Sequence, residues 1–330
     1  MSQKVLLTGS AGFIGFHTAN ALLAAGFHVT GFDNMSEYYD VRIKQKRLSL
    51  LKKNKRFNFV KCDIANYKAF EKACVKFSPD HIVHLAAQAG VRYSLVNPWV
   101  YSDANYLGTL NVFEYAKRAK LARVIYASSS SVYGGNEKQP FAEDDRTDRP
   151  LSVYAATKRA NELLAYSYNH LYGIEMVGLR FFTVYGPWGR PDMALFKFVK
   201  NIAAGKPIDL YNNGKMTRSF TYVDDITEPI VRLVKQKPES KNKIYNLGGV
   251  EGVPLKSFVA HIEKELGKKA ILNMMPLQQG DVPDTIADCT KEERELGFKA
   301  QVGIEEGIRR FVVWFKENEK FVLSLKQPKQ

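Results

Sequence analysis

Thr8-Gly9-Ser10-Ala11-Gly12-Phe13-Ile14-Gly15 decides how the rest of the chain is read. The string closes a strand-like run, Val5–Thr8, and opens a helical pattern over 13–25. Glycines at such a junction let an anion approach the backbone N–H groups of a helix N-terminus, the arrangement that holds a dinucleotide pyrophosphate. The spacing is GxxGxxG rather than GxGxxG, and a glycine-rich turn by itself also serves as plain structure. Context favours the cofactor. Asp33 ends the second strand-like run eighteen residues after Gly15, where a carboxylate binds adenosine ribose hydroxyls and repels a 2′-phosphate. The predicted cofactor is NAD, held by Gly9, Gly12, Phe13, Ile14, Gly15 and Asp33.

Working outward, strand-like runs at Val5–Thr8, His28–Phe32, Phe57–Cys62, His81–Leu85, Val124–Ser128 and Met176–Arg180 alternate with helical stretches around 13–25, 40–52, 66–76, 99–119 and 153–171. Strands separated by helices of this length imply right-handed crossovers and a parallel sheet. The predicted fold is α/β, a doubly wound parallel sheet followed by a smaller α/β region. The expected division is 1–180 for cofactor binding and 181–330 mainly for substrate, with the chain partly interleaved and a cleft between. Pro187, Pro191 and Pro207 interrupt the pattern after Arg180, and Arg218–Val223 reads as a strand. Glu317–Gln330 is mostly polar and is expected to fray.

With 330 residues and 45% hydrophobic content, the chain can bury one large core or two modest ones. No apolar run is long enough to span a bilayer, and a strand-like segment from Lys4 stands where a signal peptide would be. Three cysteines without metal-ligand spacing suit a reducing cytoplasm. The net charge of +14 admits a nucleic-acid partner or a small anionic one. Its densest stretch, Arg42–Arg56, carries eight Lys/Arg in fifteen residues, interrupted by Leu48, Leu50 and Leu51. That pattern reads as the solvated face of an amphipathic helix rather than a nucleic-acid patch, and no membrane partner is expected.

Tyr154-Ala155-Ala156-Thr157-Lys158 sets a phenol and an ammonium at i and i+4, on one helical face. A tyrosine that takes a proton from a sugar hydroxyl near neutral pH needs its pKa lowered by about 3 units from ~10. One cationic neighbour supplies about 1–3 units, so Lys158 and a positively charged nicotinamide together suffice. The short motif also occurs on ordinary helix surfaces. Ser128-Ser129-Ser130-Ser131-Val132-Tyr133-Gly134 changes the weighing, because hydroxyls at the C-terminal end of a strand sit where a doubly wound sheet binds ligands.

These strings together, with His84-Leu85-Ala86-Ala87, resemble the extended short-chain dehydrogenase/reductases, and the resemblance covers nearly the whole chain. It extends to Asn105, to Arg180–Pro187 and to Arg218–Asp225. Gln88-Ala89-Gly90-Val91-Arg92-Tyr93-Ser94, Trp188–Phe198 and Asp33-Asn34 before Tyr38-Tyr39-Asp40 are most similar to the UDP-glucuronate 4-epimerases. The resemblance implies tightly bound, recycled NAD, a UDP-sugar substrate and a homodimer built on the helices after Pro98 and around Tyr154. It makes Ser129 the partner of the sugar 4-hydroxyl, Tyr154 the base, and Lys158 the residue that holds nicotinamide ribose and tunes Tyr154. It adds Asn34, Asp63, Ile64, Ala86, Ala87 and Asn105 to the cofactor site. Arg190 and Arg218 are assigned to the diphosphate, Ser130, Ser131 and Thr183 to the C5 carboxylate, and Arg92 to the sugar end of the cleft.

Two departures sharpen the reading. Relatives place an arginine where this chain has Gln278, which shifts charge onto Arg190 and Arg218. Nucleotide-sugar 4,6-dehydratases carry an Asp-Glu pair before Val-Tyr-Gly, and UDP-glucuronate decarboxylases a Glu at the second of those positions. Here both are serines, which do not exchange protons at neutral pH as a carboxyl does. Alternatives carried forward are a 4-epimerase of UDP-galactose or a UDP-N-acetylhexosamine, and a non-catalytic NAD-binding regulator.

Overall fold

The computed structural model describes residues 3–249 and 251–329. Six strands arise in the order read from the sequence: β1 Lys4–Thr8, β2 His28–Asp33, β3 Phe57–Lys61, β4 His81–His84, β5 Arg123–Ser129 and β6 Glu175–Phe181. Shorter strands follow, β7 Thr183–Tyr185, β8 Ile208–Leu210, β9 Thr217–Tyr222, β10 Asn242–Leu247, β11 Gly252–Pro254, β12 Leu272–Met274 and β13 Asp284–Thr285. The main sheet has seven parallel strands in the order β3-β2-β1-β4-β5-β6-β10. Its seventh strand comes from beyond residue 180.

Both faces of this sheet are covered, which is why its strands read as apolar runs rather than as alternation. Val5, Leu7, Val29, Val83, Ile125 and Val177 belong to one core, with the helices Phe13–Ala24, Val41–Leu51 and Val223–Lys235. Leu6, Phe32, Ile82, Val124, Tyr126 and Met176 form the other, with Tyr67–Phe77, Gly108–Arg118 and Val153–Tyr172. The strand order reverses between β1 and β4, and ligands of doubly wound sheets bind at the carboxyl ends beside such a switch.

A smaller sheet, β11-β9-β13 with β7 also on β9, and the pair β8/β12 make the second α/β region. It packs through Phe196, Phe258 and Phe311, from the helices Ala194–Ala203, Leu255–Leu266 and Ile304–Glu317.

Three local expectations are corrected. The stretch 99–119 is helical but not uniformly α: Ser102–Leu107 is a π-helical turn between Trp99–Tyr101 and Gly108–Arg118. The polar tail does not fray through its described length. Glu319–Ser324 is helical, and Val322 and Leu325, three apart in a polar background, are buried. The Lys326 N–H donates to Asp40 Oδ2 at 2.8 Å and the Lys329 N–H to Tyr38 O at 3.0 Å; Gln330 lies outside the described residues. Finally, the basic run is not wholly a solvated face. Lys44 and Arg47 are buried with Ile43, Leu48 and Leu51.

Candidate active site

At the switch point, Gly9 follows β1 with φ +74° and approaches the first residues after β4 closely. A Cβ on Gly9 would lie 2.7 Å from Ala86 N, and one on Gly15 would lie 2.0 Å from Gly9 O. Gly12 caps the helix Phe13–Ala24 without a side-chain bond, so the first-turn N–H groups at Phe13, Ile14 and Gly15 face the loop. This cradle, closed to any side chain, fits a pyrophosphate.

The predicted ribose and adenine residues surround it. Asp33, at the end of β2, is buried; its Oδ2 accepts from Ala11 N at 3.2 Å and its Oδ1 from Met35 N at 2.8 Å. Lys44 Nζ stands 3.4 Å from the same carboxylate, offsetting part of the negative charge that disfavours a 2′-phosphate. Asn34 Nδ2 donates to Asp63 Oδ2 at 3.1 Å, and the Ile64 carbonyl is held by Asn111 Nδ2 at 2.8 Å. Ala86 N donates to Thr8 Oγ1 at 3.1 Å, and Thr8 in turn meets His84 Nδ1 at 2.7 Å. Burial, and then Lys158, hold His84 down to about 3, so it is neutral. Ala87 continues this loop. Asn105, in the π-helical turn, is fully buried and spends its amide inside the protein: Oδ1 accepts from Gln88 N at 2.8 Å, and Nδ2 donates to Gln88 O and Thr157 Oγ1, each at 3.0 Å.

The trio predicted to be catalytic, Ser129, Tyr154 and Lys158, comes from β5 and one helix. Ser152 caps Val153–Tyr172 by accepting from Ala155 N at 3.1 Å, which fixes the first two turns and with them Tyr154 and Lys158. Burial acts most strongly on the Tyr154 phenol and raises its pKa, while Ser129 and the charge of Arg190 draw it down. Burial outweighs both, and the phenol stands above its ordinary value. The depression was expected of Lys158 together with a bound nicotinamide; in the protein alone Lys158 Nζ donates to Ala127 O at 2.8 Å. Lys158 is itself lowered to about 8 by burial, against a raising pull from Glu162. Under the trio, Arg180 and Glu162 form a buried pair at 2.8 Å, and Ser128 donates to Glu162 Oε1 at 2.7 Å. Ser128 is thus structural, while Ser130 and Ser131 begin a 3-10 turn whose Ser131 N–H donates to Ser129 Oγ at 3.2 Å.

Thr183 and Arg190 line one cavity with Phe13 of the cofactor loop. Arg190 is chelated by Asp192, which also accepts from Tyr38 OH at 3.3 Å. Arg92 and Arg218 lie close enough to feel each other's charge, with Asp281 near both. Arg92 donates to Asp281 Oδ2 at 2.7 Å and stacks 3.8 Å over Tyr211. Arg218 spends its donors on the carbonyls of Thr217, Val282 and Pro283, and burial lowers its pKa. Lys197, not singled out from the sequence, is half-buried; burial and the Arg92 charge lower it, against raising pulls from Asp209 and Asp192. The Gln278 side chain is half-buried and donates to Pro276 O at 3.2 Å. Lys44 and Arg47 were also missed. Their signal was positional, since 43, 44, 47, 48 and 51 share one helical face.

Comparison with known proteins is consistent along the chain. Residues 5–248 match the model of the NAD dependent epimerase/dehydratase family. A probable UDP-glucuronate 4-epimerase of Rhizobium meliloti is 48% identical over 333 residues, spanning 96% of this chain and 98% of that protein. The UDP-glucuronate 4-epimerase of Thermodesulfobacterium geofontis is 43% identical, spanning 97% and 98%. Among solved structures, a UDP-glucuronic acid 4-epimerase from Bacillus cereus, in complex with UDP-glucuronic acid and NAD, superposes with a TM-score of 0.90 at 34% identity, covering 96% of this chain and 99% of that one.

Proposed function

The chain belongs to the NAD dependent epimerase/dehydratase family, and from that premise we infer that it interconverts UDP-glucuronate and UDP-galacturonate by reversible inversion at C4. The enzyme is an NAD-dependent nucleotide-sugar epimerase, acting through a transient 4-keto sugar. The observation that carries this reading is that Ser129, at the carboxyl end of β5, acts on the phenol of Tyr154, with Lys158 one turn further along the helix.

Bound NAD supplies the hydride acceptor at C4, the donor that returns hydride to the opposite face, and a positive charge beside the phenol. Gly9, Gly12, Phe13, Ile14 and Gly15 would hold its pyrophosphate, with Asp33, Asn34, Asp63 and Ile64 at the adenosine end. Ala86 and Ala87 would line its path toward Tyr154 and Lys158. Tyr154 takes the C4 hydroxyl proton and later returns it; Ser129 orients that hydroxyl. Burial keeps Tyr154 a weak acid until a second positive charge arrives, so the base is competent only in the loaded enzyme. Asn105 acts through Gln88 and Thr157, the latter in the turn between Tyr154 and Lys158.

A 4-keto glucuronate is a β-keto acid, and a nearby proton donor would help it lose CO2. Ser130, Ser131 and Thr183 present neutral hydroxyls that, among the described residues, have no protein partner, suited to holding a carboxylate without delivering a proton. Arg190, Arg218 and Lys197 form the cationic wall for the diphosphate, about which the keto sugar turns, and Arg92 guards its sugar end.

The enzyme works in the cytoplasm, where its three buried, unpaired cysteines stay reduced. It works as a homodimer joined through the helices around Trp99 and Tyr154. Among the described residues, no helix is long and apolar enough to cross a membrane. The deciding experiment is incubation with UDP-glucuronate without added NAD, followed at C4 by proton NMR. UDP-galacturonate is expected from cofactor that stays bound through purification. Turnover of UDP-galactose or UDP-N-acetylglucosamine instead, even after NAD is supplied, would overturn the carboxylate assignment.

A further inference from the structure

Arg47 is fully buried, among the largest side chains to be so, and among the described residues it pairs with no carboxylate. All its donors go to neutral oxygens from three parts of the fold. Nη1 donates to Ala11 O at 2.9 Å, inside the glycine-rich loop, and to Tyr39 OH at 3.1 Å. Nε and Nη2 donate to Trp188 O at 3.1 and 2.6 Å, and Nη2 also to Gly189 O at 3.0 Å.

The segment it grips is otherwise unfavourable. Gly186 and Trp188 both have positive φ, +148° and +57°, and the second is rare for a bulky L-residue. The preceding carbonyl is held as well: His17 Nε2 meets Pro187 O at 2.8 Å. A carbonyl only accepts, so this nitrogen carries the proton, and burial keeps the ring neutral with a pKa of about 4. Three successive carbonyls, 187 to 189, are therefore captured by side chains of the cofactor half. The next residue is Arg190, whose charge reaches Tyr154.

We propose that Arg47 is a positioning residue that locks the loop 186–190 against the glycine-rich loop, so that Arg190 is set for the substrate diphosphate at a fixed distance from the cofactor. A planar fork with five donors spans two loops at once; an ammonium does not, so Arg47→Lys keeps the charge and loses the geometry. The inference rests on the UDP-sugar reading of the cleft.

Its test is binding of UDP itself, by calorimetry on the NAD-loaded protein, which does not depend on turnover. Arg47→Lys is expected to weaken UDP about tenfold, and by less than twofold when Arg190 is already alanine, because coupled residues do not add. Bound NAD and the melting temperature, measured on the same samples, identify a variant that has merely failed to fold; Arg47→Met is the harsher companion. UDP affinity unchanged in Arg47→Lys, or the same tenfold loss in the Arg190→Ala background, would overturn the proposal. A parent protein that binds no UDP would overturn the reading of the cleft and this inference with it, a result distinct from equal affinities.

Discussion

In the proposed mechanism the phenol of Tyr154 carries the proton. Tyr154→Phe is expected to lower kcat by about 10²–10⁴-fold while leaving UDP affinity within twofold, measured by coupled assay and calorimetry. Lys158 makes a prediction of the opposite sign for stability. Its folded pKa, about 8, lies below its ordinary 10.5, so burying the charge costs stability wherever the unfolded chain would keep its proton. The cost is full below pH 8 and fades as pH rises toward 10.5, because across that window the unfolded state binds more protons than the folded one. A depression of that size corresponds to about 3 kcal/mol. Lys158→Met should therefore abolish epimerisation yet make the NAD-free protein more stable at pH 7, by urea unfolding, with the gain gone above pH 10.5. Equal stability at pH 7 would refute a charged, desolvated Lys158. These residues could be assigned from sequence because the proposed chemistry dictates residue type and spacing: a phenol and an amine one helical turn apart, a serine where a strand ends. What was not legible is environment. Burial set the sign of the Tyr154 shift, and no spacing rule reports burial of a polar atom.

Among elements, the turn from β1 into the helix Phe13–Ala24 is the least tolerant of change. A methyl at Gly15 would fall 2.0 Å from Gly9 O, whereas Gly267, which ends Leu255–Leu266 with φ +65°, has nothing within 4 Å. Gly15→Ala is expected to lose bound NAD, as judged by absorbance of released cofactor. Gly267→Ala should keep the cofactor and lose only the left-handed penalty, about 1 kcal/mol in thermal unfolding. Cofactor retained in Gly15→Ala would mean that the loop relaxes more than close packing allows. The six strands before residue 182 could be read from the sequence because both faces of the sheet are buried and their apolar runs are uninterrupted. Of the later strands β9 was also read, as Arg218–Val223, whereas β7, β8, β11, β12 and β13 have three residues or fewer apiece, too short for a period to register. The helix Val41–Leu51 misled for a different reason. Lys44 and Arg47 sit on its inner face, and a lysine or arginine inside an apolar stripe looks solvated until the partner carbonyls and the Asp33 carboxylate are in place.

For the whole molecule, the unexplained surface is apolar. Trp99 is 77% exposed and Tyr106, seven residues on, is exposed beside it; on the neighbouring helix Leu163 and Tyr166 (62%) are three apart. Exposed apolar side chains of this size are what the proposed homodimer would cover. The two helices already pack together, so pairing this face with its copy stacks four helices about a two-fold axis. The same helix carries Tyr154 and Lys158 in its first turns, and an interface along its length would hold them rigid. Leu163→Glu with Tyr166→Glu places four carboxylates in the paired face. The parent is expected to sediment as a dimer at micromolar concentration and the variant as a monomer. Mass action adds an independent check: the melting temperature of a dimer rises with protein concentration, and that of a monomer does not. A parent that sediments as a monomer with a concentration-independent melting temperature would leave the exposed Trp99 face without this explanation.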